Sequence, residues 1–143
     1  MQNILLITGW GGGTKLLASL KQALEAKGHT VELINIFNAL DEHILQEQVE
    51  KAKDFDVIIG WSLGGQLASL LAERTQCRLI TLASNPQFCS DASWAYGMQA
   101  ETFERFYAKQ QIQPVQNLQQ FAALTGLQDA SPHTKAHIKH LKA

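Results

Sequence analysis

The sequence predicts an α/β fold: a four-stranded parallel sheet of strand order 2-1-3-4, helices on both faces, and a helical segment after the fourth strand. Three observations predict it. Short apolar runs recur at residues 3–8, 30–37, 57–61 and 77–83, the pattern of strands buried on both faces. Amphipathic stretches alternate with them, which argues parallel strands joined by right-handed helical crossovers. After Pro86 the alternation stops, and the stretches 100–110, 115–125 and 134–141 read as helices with no strand between them.

The elements follow in order. The first strand, 3–8, runs into the flexible loop Gly9-Trp10-Gly11-Gly12-Gly13. Thr14 is placed to cap a helix reaching about Lys27, with Leu16, Leu17, Leu20 and Leu24 on one face and Gly28 as its stop. The second strand, 30–37, ends at a turn of residues 38–40. Asp41 caps a helix to about Lys53, with Ile44, Leu45 and Val49 facing inward. The third strand leads into a helix expected over 66–74, and the fourth strand covers 77–83. Pro114 and Pro132 stand at helix starts, where proline is tolerated. These readings divide the chain at residues 1–86, the sheet half, and 87–143, the helical segment.

A chain of 143 residues is one domain's worth of polypeptide. Hydrophobic residues make up 45% and charged residues 17%, an ordinary soluble composition, and the net charge of −1 gives no reason to expect nucleic acid or a membrane as partner. No apolar run reaches membrane-spanning length, and the first residues lack a signal peptide's basic and apolar regions, so the expected location is the cytoplasm. Cys77 and Cys89 are two cysteines without a disulfide framework.

The chemistry concentrates at Gly60-Trp61-Ser62-Leu63-Gly64, a G-x-S-x-G pattern between a buried strand and a helix. In that context the serine sits on a sharp turn that exposes its hydroxyl, and the glycines leave room for the turn. A glycine-rich strand-to-helix turn also suits a phosphate, but no Lys-Ser or Lys-Thr pair closes this one as in a Walker loop. A nucleophilic serine needs donors for the oxyanion it creates. The N–H of Leu63 is one candidate. Trp10, in the loop after the first strand, is the other, and its ring is placed to wall an acyl pocket. Read alone, the loop is a glycine-rich connection with a buried tryptophan; paired with the serine turn, it reads as an oxyanion hole.

Three stretches carry a resemblance: 4–12, Gly60-Trp-Ser-Leu-Gly-Gly65, and Ala83-Ser-Asn-Pro-Gln-Phe88 followed by Trp94. They resemble the α/β-hydrolase superfamily and, more narrowly, the pimeloyl-acyl-carrier-protein methyl ester esterases of biotin synthesis. The likeness spans nearly the whole chain but about the first half of a typical member. It implies an α/β-hydrolase N-terminal half followed by a helical cap, with Ser62 as nucleophile and Trp10 and Leu63 as oxyanion hole. It further implies acyl-chain contacts from Trp10, Phe88, Phe121 and Leu124, and no metal or cofactor. The substrate it implies is a small acyl methyl ester, carried by an acyl carrier protein. Two departures stand out. Thr8 replaces the histidine that usually opens the loop. Gln116, Gln120, His133 and His137 stand where the family presents arginines to the carrier protein, although Lys135, Lys139 and Lys142 keep the last segment basic.

A serine hydrolase needs a base and an acid, which this superfamily supplies on later strands. The sequence is expected to lack them, and so to be a truncated and inactive chain. His29 precedes the second strand, and His43 lies on a solvated helix. His133, His137 and His140 share one helix face, with no carboxylate or cysteine to complete a metal site. The competing class is a non-catalytic binding or assembly domain. An open sheet edge along 79–82 invites a partner, so a homodimer, or cover by the helical segment, is expected there.

Overall fold

The computed structural model of the chain describes residues 1–124. Contacts divide the chain into a compact unit over Met1–Ser84 and a second that begins at Asn85. In the first, β1 (Asn3–Ile7), β2 (Thr30–Ile34), β3 (Val57–Trp61) and β4 (Arg78–Leu82) form one sheet of order β2-β1-β3-β4. Every pairing is parallel: Ile4 lies opposite both Val31 and Val57, and Ile59 lies opposite both Leu6 and Ile80. Fold class and strand order agree with the reading of the sequence.

Alternation along the central strands builds two cores. Leu5, Ile7 and Ile58 face α2 (Glu42–Ala52) and α3 (Leu63–Thr75), meeting Leu45, Val49, Leu67 and Leu71. Ile4, Leu6, Val31 and Ile59 face the other way, against Leu17, Leu20 and Leu24 on and before α1 (Ala18–Ala26). Leu5, Leu6, Ile7 and Ile58 are wholly buried. Each such side chain contributes about 1.5–3 kcal/mol relative to exposure.

Local chemistry sets the ends. Asp41 caps α2 as expected, its carboxylate accepting from the N–H groups of His43 and Ile44 at 3.0 and 3.2 Å. Gly28 follows α1 at φ 85°, a conformation that costs glycine little. Thr14 does not cap a helix. It opens a 3-10 turn, Thr14–Leu17, behind Gly13 at φ 56°, and the α-helix starts only at Ala18, because Leu17 at φ −98°, ψ 8° breaks the helical path. The second strand stops at Ile34 rather than residue 37. There the Asn35 side-chain oxygen accepts the N–H of Ile36, an alternative to the sheet ladder. Cys77 is structural: its thiol lies 3.1 Å from the Phe55 carbonyl and 3.4 Å from that of Ala52.

In the second unit, a loop closed by a bridge between Cys89 and Met98 leads to α4 (Ala100–Ile112) and α5 (Pro114–Leu124). Asp91 organises the loop. Its carboxylate accepts from the Ser93 hydroxyl at 2.7 Å, the Gln87 amide at 2.9 Å and the N–H groups of Ser93 and Trp94 at 2.8 and 2.9 Å. Those donors, the Ser93 hydroxyl foremost, hold its pKa down to about 2. Between the helices, buried Asn117 donates to Gln110 and to the Phe106 carbonyl, while the Phe106 and Phe121 rings lie 6.2 Å apart. The helix expected over 134–141 lies outside the described residues.

Candidate functional site

Ser62 sits between the end of β3 and the start of α3, at φ 55°, ψ −122°. The positive φ expected of the turn is present, and the ψ takes it outside the left-handed helical well into a region that costs a non-glycine residue about 1–3 kcal/mol. The surroundings hold it there. Its N–H donates to the Leu82 carbonyl of β4 at 2.9 Å, and its own carbonyl accepts from Gly65 N–H at 2.8 Å. The helix starts at Leu63, not at Gln66, so Gly64 and Gly65 form its first turn. By helix geometry the Leu63 N–H has no intrahelical acceptor, and the positive end of the helix dipole lies at the serine.

The turn needs glycine for a spatial reason. A Cβ on Gly60 would come well inside 3.0 Å of the Gly64 and Gly65 backbone, and one on Gly64 equally close to the carbonyls of Ile7 and Thr8. The same closeness brings the loop after β1 against the serine. A Cβ on Gly9 would lie 2.8 Å from the Trp61 carbonyl and 2.9 Å from Ser62 Cβ. Trp10, half-buried, is the next residue along. The fold therefore gathers Trp10, Ser62 and Leu63 at the carboxyl edge of adjoining strands, where open parallel sheets bind ligands.

Two residues not singled out as site residues in the sequence shape this edge. Thr8 is fully buried, and its hydroxyl donates to the Gly13 carbonyl at 2.9 Å, closing the loop on itself. Its signal was the exchange of histidine for a smaller polar residue at the loop's start. Removing the bond while keeping the shape, Thr8→Val, is expected to cost about 1–2 kcal/mol in urea unfolding. Ser84 packs its side chain onto Gly65, just after Ala83 at φ 47°. Of the three non-glycine residues with positive φ among the described residues, Ser62 and Ala83 thus stand at the ends of neighbouring strands, and Gln76 closes α3. Strain collected in this way is characteristic of functional edges.

The remaining candidates lie in the second unit. Phe88 is 45% exposed and meets Phe103 edge to face at 5.5 Å, Phe121 is half-buried, and Leu124 is 87% exposed. His29 precedes β2 at the amino edge of the sheet, the opposite edge from Ser62. His43 lies on α2 with Nδ1 3.6 Å from Glu47. His133, His137 and His140 are outside the described residues. Among the described residues, no three His, Cys, Asp or Glu side chains are grouped to hold a metal, and no helix is long and apolar enough to cross a membrane.

Comparison with known proteins agrees with this geometry. The pimeloyl-[acyl-carrier protein] methyl ester esterase of Vibrio cholerae, an α/β-hydrolase, is 28% identical over 152 residues, which take in 99% of this chain and 58% of the relative. The chain has the fold of the N-terminal half of an α/β-hydrolase. The esterase of the same name from Aromatoleum aromaticum is 30% identical over 92% of this chain and 59% of its own length. The biotin biosynthesis bifunctional protein BioHC of Teredinibacter turnerae is 31% identical over 89% of the chain and 26% of the relative. This α/β-hydrolase half thus spans somewhat over half the length of the two esterases. No protein-family model and no solved structure matches it.

Proposed function

We propose that the chain is the nucleophile-bearing part of a serine carboxylesterase that cleaves a methyl ester of an acyl chain on an acyl carrier protein, in the cytoplasm. The observation that carries this reading is Ser62 at φ 55° between β3 and α3, with the Gly9 backbone against it. The substrate class draws on the names of the relatives.

In this reading the Ser62 oxygen bonds to the ester carbonyl carbon while a base takes its proton. The N–H groups of Leu63 and Trp10 receive the oxyanion. The carbon–methoxy bond breaks, methanol leaves with that proton, and water then releases the acid from the serine. The base and its acid come from outside the described residues. Trp10, Phe88, Phe121 and Leu124 are the proposed acyl contacts.

The test is to extend the chain by the polypeptide that the esterases hold beyond the matched region, and to assay a series of p-nitrophenyl esters. Hydrolysis that disappears in Ser62→Ala supports the reading, and hydrolysis that survives it overturns it. A second reading, a non-catalytic domain that dimerises through its sheet edge, draws on β4. The expectation was that this strand is covered, yet Leu79 and Ile80 are 40% and 47% exposed.

A further inference from the structure

Four of the five residues at 9–13 are glycine, and glycine loses more conformational freedom on ordering than any other residue. Left to itself, such a loop would hold no N–H group still. An oxyanion donor has to be still, because it works by being aimed before the charge develops. Three contacts supply the stiffness that the loop's own residues lack. The first is the half-buried ring of Trp61. A Cβ on Gly9 would lie 2.7 Å from its Cε3, and one on Gly12 2.9 Å from its Cζ3, so both glycines rest their backbone on the ring. The second lies within the loop, where the Gly12 N–H donates to the Gly9 carbonyl at 3.3 Å. The third is the Thr8 hydroxyl, which grips the far end at the Gly13 carbonyl, 2.9 Å away.

Thr8 is itself firmly held. It is fully buried, its N–H donates to the Ile34 carbonyl of β2 at 3.2 Å, and its carbonyl stands against Gly64 in the first turn of α3. One residue thus bonds the second strand, abuts the helix that follows the serine, and closes the loop. Gly11 and Gly13, at φ 73° and 56°, turn the chain back to its hydroxyl, and Trp10 lies inside the ring so closed. The geometry points to Thr8 as a positioning residue of the esterase site: its hydroxyl closes the loop over the Trp61 ring and so holds the Trp10 N–H toward the place where the oxyanion on the Ser62 adduct forms. Thr8 acts through the backbone of Trp10 and touches no reacting atom. The proposal rests on the esterase reading and adds to it the side chain that steadies the second donor.

The test compares Thr8→Val, which keeps the shape and removes the hydroxyl, with Thr8→Ser, which keeps the hydroxyl. In the 143-residue chain, nitrogen-15 relaxation is expected to show the amides of residues 10–13 falling from a rigid order parameter of about 0.85 to below about 0.6 in Thr8→Val, with those of β1 and α3 unchanged and Thr8→Ser close to the parent. In the chain extended as for the ester assay, removing a whole oxyanion donor would cost about 10²–10³ in kcat, and loosening one costs less. Thr8→Val is therefore expected to lower kcat about tenfold with KM within about twofold, and Thr8→Ser to recover most of the loss. Circular dichroism checks the fold of each variant, and Thr8→Ala replaces Thr8→Val should the latter unfold. Three results overturn the proposal: a loop as rigid in Thr8→Val as in the parent, a Thr8→Ser variant as loose or as slow as Thr8→Val, or a loss that falls on KM and spares kcat. A loop that Thr8→Val loosens and Thr8→Ser restores, in a chain whose extended form shows no Ser62-dependent hydrolysis, supports the clasp and overturns the esterase reading, so the two fail separately.

Discussion

The 143-residue chain by itself is expected to hydrolyse activated esters about 10⁶-fold more slowly than a serine hydrolase whose base and acid are in place. At neutral pH a serine hydroxyl is almost wholly protonated and a weak nucleophile. What the described site offers without a base is a positioned Oγ, the dipole of α3 and backbone N–H groups near it. In serine proteases such remnants still give roughly 10³- to 10⁴-fold acceleration over water. The deficit of 10⁶ corresponds to about 8 kcal/mol of transition-state stabilisation. Steady-state assays on the parent and on Ser62→Ala measure it: both should lie within that residual acceleration and close to each other. Ordinary enzyme rates that vanish in Ser62→Ala would mean that the 143 residues hold their own base, and His133 and His137 would be the first to replace.

The second large effect concerns folding. Gly60→Ala and Gly64→Ala are each expected to destabilise the protein by about 3 kcal/mol or more, lowering Tm by roughly 10 °C. The added methyl meets backbone in both cases: Gly64 and Gly65 for the first, Ile7 and Thr8 for the second. Backbone cannot swing aside as the tip of a side chain can, so the strand, the turn or the helix must move. Gly28→Ala makes the contrast, since nothing lies within 4 Å of its added methyl and only its φ of 85° opposes the change. A calorimetric scan in which Gly64→Ala melts with the parent would refute the close approach of β1 and α3.

The strands and the serine turn were legible because their causes are local. A run such as Ile4-Leu5-Leu6-Ile7 has one good fate, the middle of a covered sheet, and glycines two residues either side of a serine mark a turn that no side chain fits. The starts of the helices were less legible because distant contacts set them. Gly64 and Gly65 are poor helix formers and suggested a later start, but they lie in the first turn of α3, where Thr8 and Ser84 from other parts of the chain come too close to leave room for a side chain. Thr14 has a capping side chain, yet Thr8 ties down the loop before it and the chain enters through a 3-10 turn instead.

The hydroxyl of Thr8 has a consequence for titration. A histidine at the head of this loop would bring an ionisation of its own near pH 6.5, and the shape of the loop would then follow proton uptake. The Thr8–Gly13 clasp carries no ionisable proton between pH 5 and 9, and Thr8 is sealed from solvent. Acidifying the medium is therefore expected to leave the Trp10 side of the proposed oxyanion site where it is. Any bell-shaped dependence of rate on pH in an active assembly would belong to the base and its acid alone, with its lower limb read directly as the base's pKa in the free enzyme.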